Sequence, residues 1–179
     1  MFRSVLIHGA LVIATIAFAQ SAQAKVIAQS TNGFVVSVES DLKSDPQQAY
    51  EKFVAIGTWW DPSHSYSGDG KNMSLDARPG GAWIETLPSG GFVSHMDVTQ
   101  ARPGKSILLS GGLGPMGFMA VSGKLSVTFT AAKAGTHVKW SYAAGGFDQG
   151  DFKDISKAVD GVLLLQLQRF TNAANNGAP

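Results

Sequence analysis

The chain has 179 residues, of which 44% are hydrophobic, 15% are charged and none is cysteine. This length is enough for one domain with a hydrophobic core of its own. The formal net charge is +1, so no excess of positive charge attracts nucleic acid or an anionic membrane. The absence of cysteine excludes disulfides, thiol nucleophiles and thiolate metal sites. Stability therefore has to come from packing alone.

The first 24 residues have the order of a secretory signal peptide. Arg3 supplies a positive charge, an apolar run extends from Val5 to Phe18, and Ala22-Gln23-Ala24 forms a small-residue cleavage site. The apolar run is shorter than the roughly 20 residues that a membrane span needs. Cleavage after Ala24 is therefore favoured over retention as an anchor. We expect a periplasmic or secreted protein with no stable membrane insertion after cleavage. Without Arg3, the remaining 13 basic and 13 acidic residues give a formal net charge of zero.

We predict one folded domain for residues 34–174, with a polar lead segment at residues 25–33 and a tail at residues 175–179. The lead segment has no apolar periodicity, so it is expected to be extended or irregular. No internal repeat and no interdomain linker interrupts the domain. Its first strand is expected at residues 34–40, which are rich in β-branched side chains.

A helix is predicted to follow this strand. Ser44 or Asp45 can cap it, Pro46 suits its first turn, and Asp61-Pro62 ends it. Beyond a polar loop, six short apolar segments alternate with turns rich in Gly and Pro: residues 72–75, 82–87, 92–101, 106–111, 121–131 and 136–143. Apolar and polar residues alternate strictly from Lys124 to Thr130. These features predict an antiparallel meander with one buried face.

A long amphipathic helix is predicted over residues 151–174. Its apolar residues recur at steps of three and four: Phe152, Ile155, Val159, Val162, Leu163, Leu167 and Phe170. At about 1.5 Å per residue this helix is roughly 36 Å long. The whole pattern predicts an α+β fold in which about six to seven curved antiparallel strands wrap around the C-terminal helix. Because such a sheet cannot close tightly along the entire helix, we expect a cavity between them.

Several motifs occur in this order of elements: Trp59-Trp60, Pro79-Gly80-Gly81-Ala82-Trp83, Pro103-Gly104-Lys105, Leu108 to Pro115, Gly135-Thr136-His137-Val138 and Val159 to Leu163. Together they resemble the START-like (SRPBCC) superfamily with its helix-grip fold, in particular the branch of bacterial polyketide cyclases and Hsp90-ATPase activators. The resemblance extends over residues 34–174. It implies a pocket for an apolar or aromatic small molecule or a lipid, and no cofactor.

The leading hypothesis is an exported START-like domain that binds such a molecule between the sheet and the C-terminal helix. The predicted ligand-binding residues are Trp59, Trp60, Met96, Leu109, Met116, Phe118, Met119, Tyr142, Phe152, Val159 and Leu163. Adjacent Trp59 and Trp60 cannot face the same way, so one of them is expected to enter the cavity. The glycine-rich segment Gly111–Gly117 is either a lid over the pocket or a turn whose apolar residues plug the core; both alternatives stay open.

The second hypothesis is a cyclase or dehydratase-type enzyme that uses His95 or Asp160 as its acid or base. If the strand alternates regularly, Val93, His95 and Asp97 share one face. An inward His95–Asp97 pair would be a proton relay, although a solvent-facing position is favoured. Asp160 interrupts the apolar stripe of the helix. It either orients a ligand hydroxyl with a raised pKa or faces water.

No metal site is predicted. His64 lies in a loop with Asp61 and Asp69, but one histidine with two flexible carboxylates matches no strong ligand spacing. A third hypothesis is a protein-partner module like the Hsp90 activators. Export argues against this function, since an exported chain does not meet a cytosolic chaperone. The sequence predicts no oligomeric state.

Overall fold

A computed structural model describes residues 23–147 and 152–179 of the chain. Almost all of the expected signal peptide lies outside these residues, as does Asp151, the first residue of the predicted C-terminal helix.

Within the described ranges, eight strands form one antiparallel sheet in the order β1-β2-β8-β7-β6-β5-β4-β3. The strands are β1 (Gln23–Ser30), β2 (Gly33–Leu42), β3 (Met73–Leu75), β4 (Ala82–Thr86), β5 (Phe92–Arg102), β6 (Ser106–Ser110), β7 (Ala120–Ala132) and β8 (Gly135–Phe147). The predicted alternation is confirmed on β7, where Leu125, Val127 and Phe129 are buried. One face of the sheet therefore supplies the core.

Two α-helices in the described residues cover that face, α1 (Pro46–Val54) and α2 (Phe152–Asn176). Asp45 caps α1 by accepting a hydrogen bond from the Gln48 amide, and the Gln48 side chain accepts one from the Asp45 amide. This capping box fixes the start of α1 where the sequence predicted it. Helix α2 contacts α1, β1 and β2. Short 3₁₀ turns occur at Ile56–Thr58, Pro62–His64, Gly70–Asn72 and Gly114–Phe118.

Strand β1 was not predicted. It occupies most of the polar lead segment, pairs with β2 and contacts α2. Its pairing register shifts between Val26 and Ala28, which leaves Ile27 as an exposed bulge residue. A polar edge strand with a bulge has no regular alternation, so residues 25–33 lacked the signal of a strand. β1 also raises the strand count above the six or seven predicted.

Four aromatic rings fill the space between α1, β8 and the C-terminal half of α2. Phe53, Trp59, Trp140 and Phe170 contact one another in all six pairwise combinations, with ring centroids 5.3 to 6.0 Å apart. All four rings are buried. We call this group the four-ring cluster. It joins both helices to the centre of the sheet.

The four-ring cluster is expected to dominate stability. Phe170→Ala removes the ring that α2 contributes, and should lower the free energy of unfolding by about 3–5 kcal/mol. Urea denaturation followed by circular dichroism measures this loss. The matched control is Gln168→Ala, at an exposed position of the same helix, which should change stability by less than about 0.5 kcal/mol. Equal effects of the two substitutions would contradict this role.

Candidate functional site

A cavity of about 370 Å³ lies between the N-terminal half of α2, the 3₁₀ turn Gly114–Phe118 and the loop after Trp60. Its lining residues are Trp60, His64, Ser65, Tyr66, His95, Leu113, Gly114, Pro115, Met116, Ile155, Ala158, Val159, Val162 and Leu163. Helix α2 contributes five of them, at the three- and four-residue spacing of one helix face. The volume and the mainly apolar lining are typical of small-molecule sites.

The adjacent tryptophans point in different directions. The Trp59 indole donates its N–H to the Lys52 carbonyl at 2.8 Å and packs in the four-ring cluster. The Trp60 indole donates to the His64 carbonyl at 2.9 Å and lines the cavity. Trp60 also packs edge-to-face on Trp83, with ring centroids 4.7 Å apart.

A buried histidine–carboxylate pair borders the cavity. The His95 Nε2 and Glu85 Oε2 atoms are 2.9 Å apart, and the two side chains are 6% and 0% exposed. The other carboxylate oxygen of Glu85 accepts the backbone N–H of Ser67. The His95 ring lies between Trp83 and Tyr66, with centroid separations of 4.9 and 5.8 Å. Both members of the pair are therefore held in one orientation.

A β-bulge brings His95 inward. Trp83 of β4 pairs with Met96, and the next residue, Ile84, pairs with Ser94. His95 is the extra residue, so His95 and Met96 are both buried although they are neighbours in the chain. Bulges re-aim side chains in this way, often beside functional sites. Asp97 is exposed, so the predicted His95–Asp97 pairing is wrong, and so is a solvent-facing His95.

The protonation states of the pair follow from its surroundings. Burial alone would raise the pKa of Glu85, but hydrogen bonds from Ser67, the Tyr66 backbone and His95 outweigh burial and lower this pKa. Burial lowers the pKa of His95 below 6.5, against the opposing effect of Glu85. At neutral pH the carboxylate is thus ionised and the imidazole neutral. A carboxylate can only accept, so Nε2 carries the ring proton. The Nδ1 atom has no hydrogen-bond partner in the described part of the chain.

Asp160 occupies a different position. It is partly buried on α2, and its Oδ1 atom is buried without a hydrogen-bond partner among the described residues. Burial raises the pKa of this carboxyl group. Asp160 is not among the cavity-lining residues. The structure therefore does not bring the two predicted catalytic residues together at the cavity.

The predicted ligand-binding residues separate into three groups. Trp60, Met116, Val159 and Leu163 line the cavity. Trp59, Met96, Leu109, Tyr142 and Phe152 are buried in the core and are not part of the lining, while Met119 is only partly buried. Phe118 is 79% exposed and borders a smaller recess of about 240 Å³ beside the cavity. Core aromatics and cavity aromatics have the same composition, so the sequence does not separate them.

Sequence reasoning missed Glu85 and Tyr66. Glu85 lies two residues after Trp83 in a predicted strand, so the two side chains share the apolar inner face. A carboxylate at such a position indicates a buried polar partner. Tyr66 lies in a polar loop, where nothing in the pattern indicates contact with His95. Ile155 and Val162 belonged to the predicted helical stripe, but the spacing does not show which part of the stripe borders empty space.

The glycine-rich turn forms one wall of the cavity. Met116 is buried and lines the cavity. The buried Tyr142 hydroxyl accepts the Leu113 N–H at 3.1 Å and donates to the Gly111 carbonyl at 3.2 Å. On the other side, the Tyr66 hydroxyl donates to the Gly114 carbonyl at 3.0 Å. Hydrogen bonds thus attach the turn to the sheet through Tyr142 and to the loop after Trp60 through Tyr66. The turn covers the cavity as a lid would, and its Met116 side chain is buried as a plug would be.

The described residues contain no group of His, Asp and Glu that could hold a metal ion. His64 is exposed, and its Nδ1 atom lies 3.2 Å from the Ser63 hydroxyl. No helix within the described ranges is both long enough and apolar enough to span a membrane.

No protein-family model matches the sequence, and no curated protein matches it. In structure, the chain is similar to CalU16 from Micromonospora echinospora, with a TM-score of 0.59, 10% identity, and 89% of this chain and 87% of CalU16 covered. It is also similar to the Aha1 dimer from Colwellia psychrerythraea, with a TM-score of 0.54, 16% identity and coverage of 80% and 97%. The di-domain ARO/CYC protein StfQ from the steffimycin biosynthetic pathway gives a TM-score of 0.54, 15% identity and coverage of 80% and 51%.

The chain has a START-like helix-grip fold. This confirms the predicted resemblance and the α+β fold class, with eight strands in the described residues instead of six or seven. Identities of 10 to 16% show the START-like fold alone. The function has to be argued from the cavity.

We expect Glu85→Gln to lower the pKa of His95 further, because the carboxylate favours the protonated ring. Histidine ring signals followed by NMR between about pH 4 and 8 measure this pKa, and His95→Gln assigns the signal. In the wild-type chain the pKa should lie below 6.5. With its pKa below 6.5, His95 binds a proton more weakly in the folded chain than in the unfolded chain. Lowering the pH below 6.5 therefore favours unfolding. A pKa above 6.5, or a rise caused by Glu85→Gln, would contradict the assignment.

Asp160→Asn is expected to raise the melting temperature at neutral pH. Burial raises the pKa of Asp160, so the ionised carboxylate destabilises the folded chain above that pKa. The gain should shrink as the pH falls through the raised pKa of the folded chain, and it should vanish below 3.8, the ordinary pKa, where the carboxyl group is protonated in the folded and the unfolded chain alike. Thermal unfolding at several pH values tests this dependence. The control is Asp154→Asn on the same helix, whose carboxylate is 96% exposed and whose removal should not stabilise the chain.

Proposed function

We propose that this protein binds an apolar or aromatic small molecule in the cavity between α2 and the 3₁₀ turn Gly114–Phe118. The observation that carries the proposal is the cavity itself, with a volume of about 370 Å³. The lining combines the apolar face of α2 with Trp60 and His95, and Glu85 holds His95 from behind the lining. Such a site combines hydrophobic burial with one fixed polar position, as small-molecule sites commonly do.

The apolar lining sets the scale of affinity. An apolar ligand gains about 0.3 kcal/mol of binding free energy per non-hydrogen atom after the entropy of association is included. An aromatic probe of about 15 such atoms therefore gains roughly 4.5 kcal/mol, which corresponds to a dissociation constant near 0.1–1 mM. A natural ligand that also satisfies the polar position binds more tightly.

We also propose that the binding function operates outside the cytoplasm, since the first 24 residues have the order of a secretory signal peptide. Cleavage after Ala24 would leave Lys25 as the first residue; six residues of β1 would remain, and five of them would still pair with β2. The folded domain would then keep its edge strand.

The second candidate function is acid–base catalysis on the same ligand. The observation that favours it is a neutral imidazole at the cavity, oriented by an ionised carboxylate. This arrangement suits a general base. Asp160, the other predicted catalytic residue, is not part of the lining, so His95 would be the proton acceptor in such a reaction.

Filling the cavity should abolish binding. Val159 lines the cavity and Lys157, two residues earlier on α2, is exposed and does not. Fluorescence titration with the neutral probe N-phenyl-1-naphthylamine is expected to show binding to wild type and to Lys157→Trp. In Val159→Trp the new indole occupies the cavity, and the affinity should fall at least about tenfold, the equivalent of 1.4 kcal/mol.

Circular dichroism confirms that both variants are folded. Equal probe binding by the two tryptophan variants would place the probe elsewhere, and absence of binding to the wild type would reject the proposed function.

A further inference from the structure

We propose that the Glu85–His95 pair selects ligands that donate a hydrogen bond, so that the preferred ligand is a neutral aromatic molecule with a hydroxyl group. This inference rests on the proposed binding function and specifies the chemistry of the polar end of the ligand.

The first step concerns the carboxylate. Glu85 Oε2 is bonded to His95 Nε2 at 2.9 Å, and Oε1 accepts the Ser67 amide. Glu85 is fully buried and is not part of the cavity lining. The carboxylate is thus engaged inside the protein, and it acts on a ligand only through His95. Its effect is to fix the tautomer, because an ionised carboxylate accepts the Nε2 proton and leaves a lone pair on Nδ1.

The second step concerns the other polar groups of the lining. The Tyr66 hydroxyl donates to the Gly114 carbonyl, and the Ser65 hydroxyl donates to the Pro62 carbonyl. The residues that α2 contributes to the lining are all apolar. The other imidazole of the lining, His64, is exposed to water. Among the buried side chains that line the cavity in the described residues, His95 therefore offers the acceptor that a ligand can satisfy.

The third step concerns charge. A neutral imidazole offers no positive charge to an anion, and the ionised Glu85 behind it repels one. A carboxylate or sulfonate placed against His95 would be desolvated without compensation. A hydroxyl group that donates to Nδ1 gains a hydrogen bond whose acceptor is oriented in advance by Trp83 and Tyr66. Among ligands of equal size, the site is thus expected to prefer those that carry a hydrogen-bond donor.

The test compares 2-naphthol, 2-methylnaphthalene and 2-naphthoate as competitors of N-phenyl-1-naphthylamine at neutral pH. For the wild type we expect 2-naphthol to bind roughly fivefold more tightly than 2-methylnaphthalene, the value of one net hydrogen bond. The anion 2-naphthoate should bind more weakly than either.

The variant is Glu85→Gln/His95→Phe. The phenyl ring keeps the stacking between Trp83 and Tyr66 without an acceptor, and the glutamine oxygen still accepts the Ser67 amide. Replacing Glu85 together with His95 avoids the buried unpaired carboxylate that His95→Phe alone would leave. The double variant should lose the preference for 2-naphthol, so that the ratio of the affinities for 2-naphthol and 2-methylnaphthalene falls from roughly five to about one.

The outcomes separate the two proposals. If no competitor displaces the probe, the binding function itself fails. If all three bind equally to the wild type, or the preference for 2-naphthol persists in the double variant, binding stands and selection by His95 is rejected. His95 also borders the recess beside Phe118, so 2-naphthol binding that survives Val159→Trp would place the ligand there and overturn the inference for the cavity.

Discussion

The four-ring cluster fixes the C-terminal half of α2 against the sheet. Large aromatic side chains bury about 150–250 Å² each, so Phe53, Trp59 and Trp140 fill the space opposite Phe170. At the other end of the helix, Phe152 is buried against Phe34. The α2 side chains that line the cavity lie between these packed ends and are all aliphatic: Ile155, Ala158, Val159, Val162 and Leu163. The cavity therefore borders the stretch of α2 that carries no aromatic ring.

The polar side chain of the cavity, His95, depends on a second local feature, the β-bulge at this residue. Without it, strand alternation would place Met96 inside and His95 outside, and Glu85 would be buried without the imidazole as its hydrogen-bond donor. A buried carboxylate whose partner is a neutral imidazole is costly to desolvate, so it stabilises the fold less than an apolar residue of similar size would. Glu85, His95 and the Ser67 amide beside the cavity therefore support the ligand selection that we propose.

The sequence predicted those features that depend on local periodicity. The alternation of Leu125, Val127 and Phe129, the helical stripe of α2 and the cap at Asp45 are short-range signals, and each is present in the structure. The bulge at His95 depends on the register between β4 and β5, which no single segment encodes. For the same reason the sequence favours a solvent-facing His95 and offers only Asp97, two residues away, as a partner for an inward ring, when the actual partner is ten residues away on the neighbouring strand.

The two attachments of the glycine-rich turn differ in strength, and this difference bears on how the cavity is enclosed. Tyr142 is fully buried and bonds both Gly111 and Leu113, so breaking these bonds leaves polar groups unsatisfied at a cost of about 1–3 kcal/mol each. Tyr66 is 45% exposed, and water can replace its bond to Gly114. The attachment through Tyr66 is therefore the weaker of the two. Tyr66 is also the residue whose ring packs on His95. If His95 selects the ligand as we propose, the side chain packed on that histidine is also one that holds the turn enclosing the cavity.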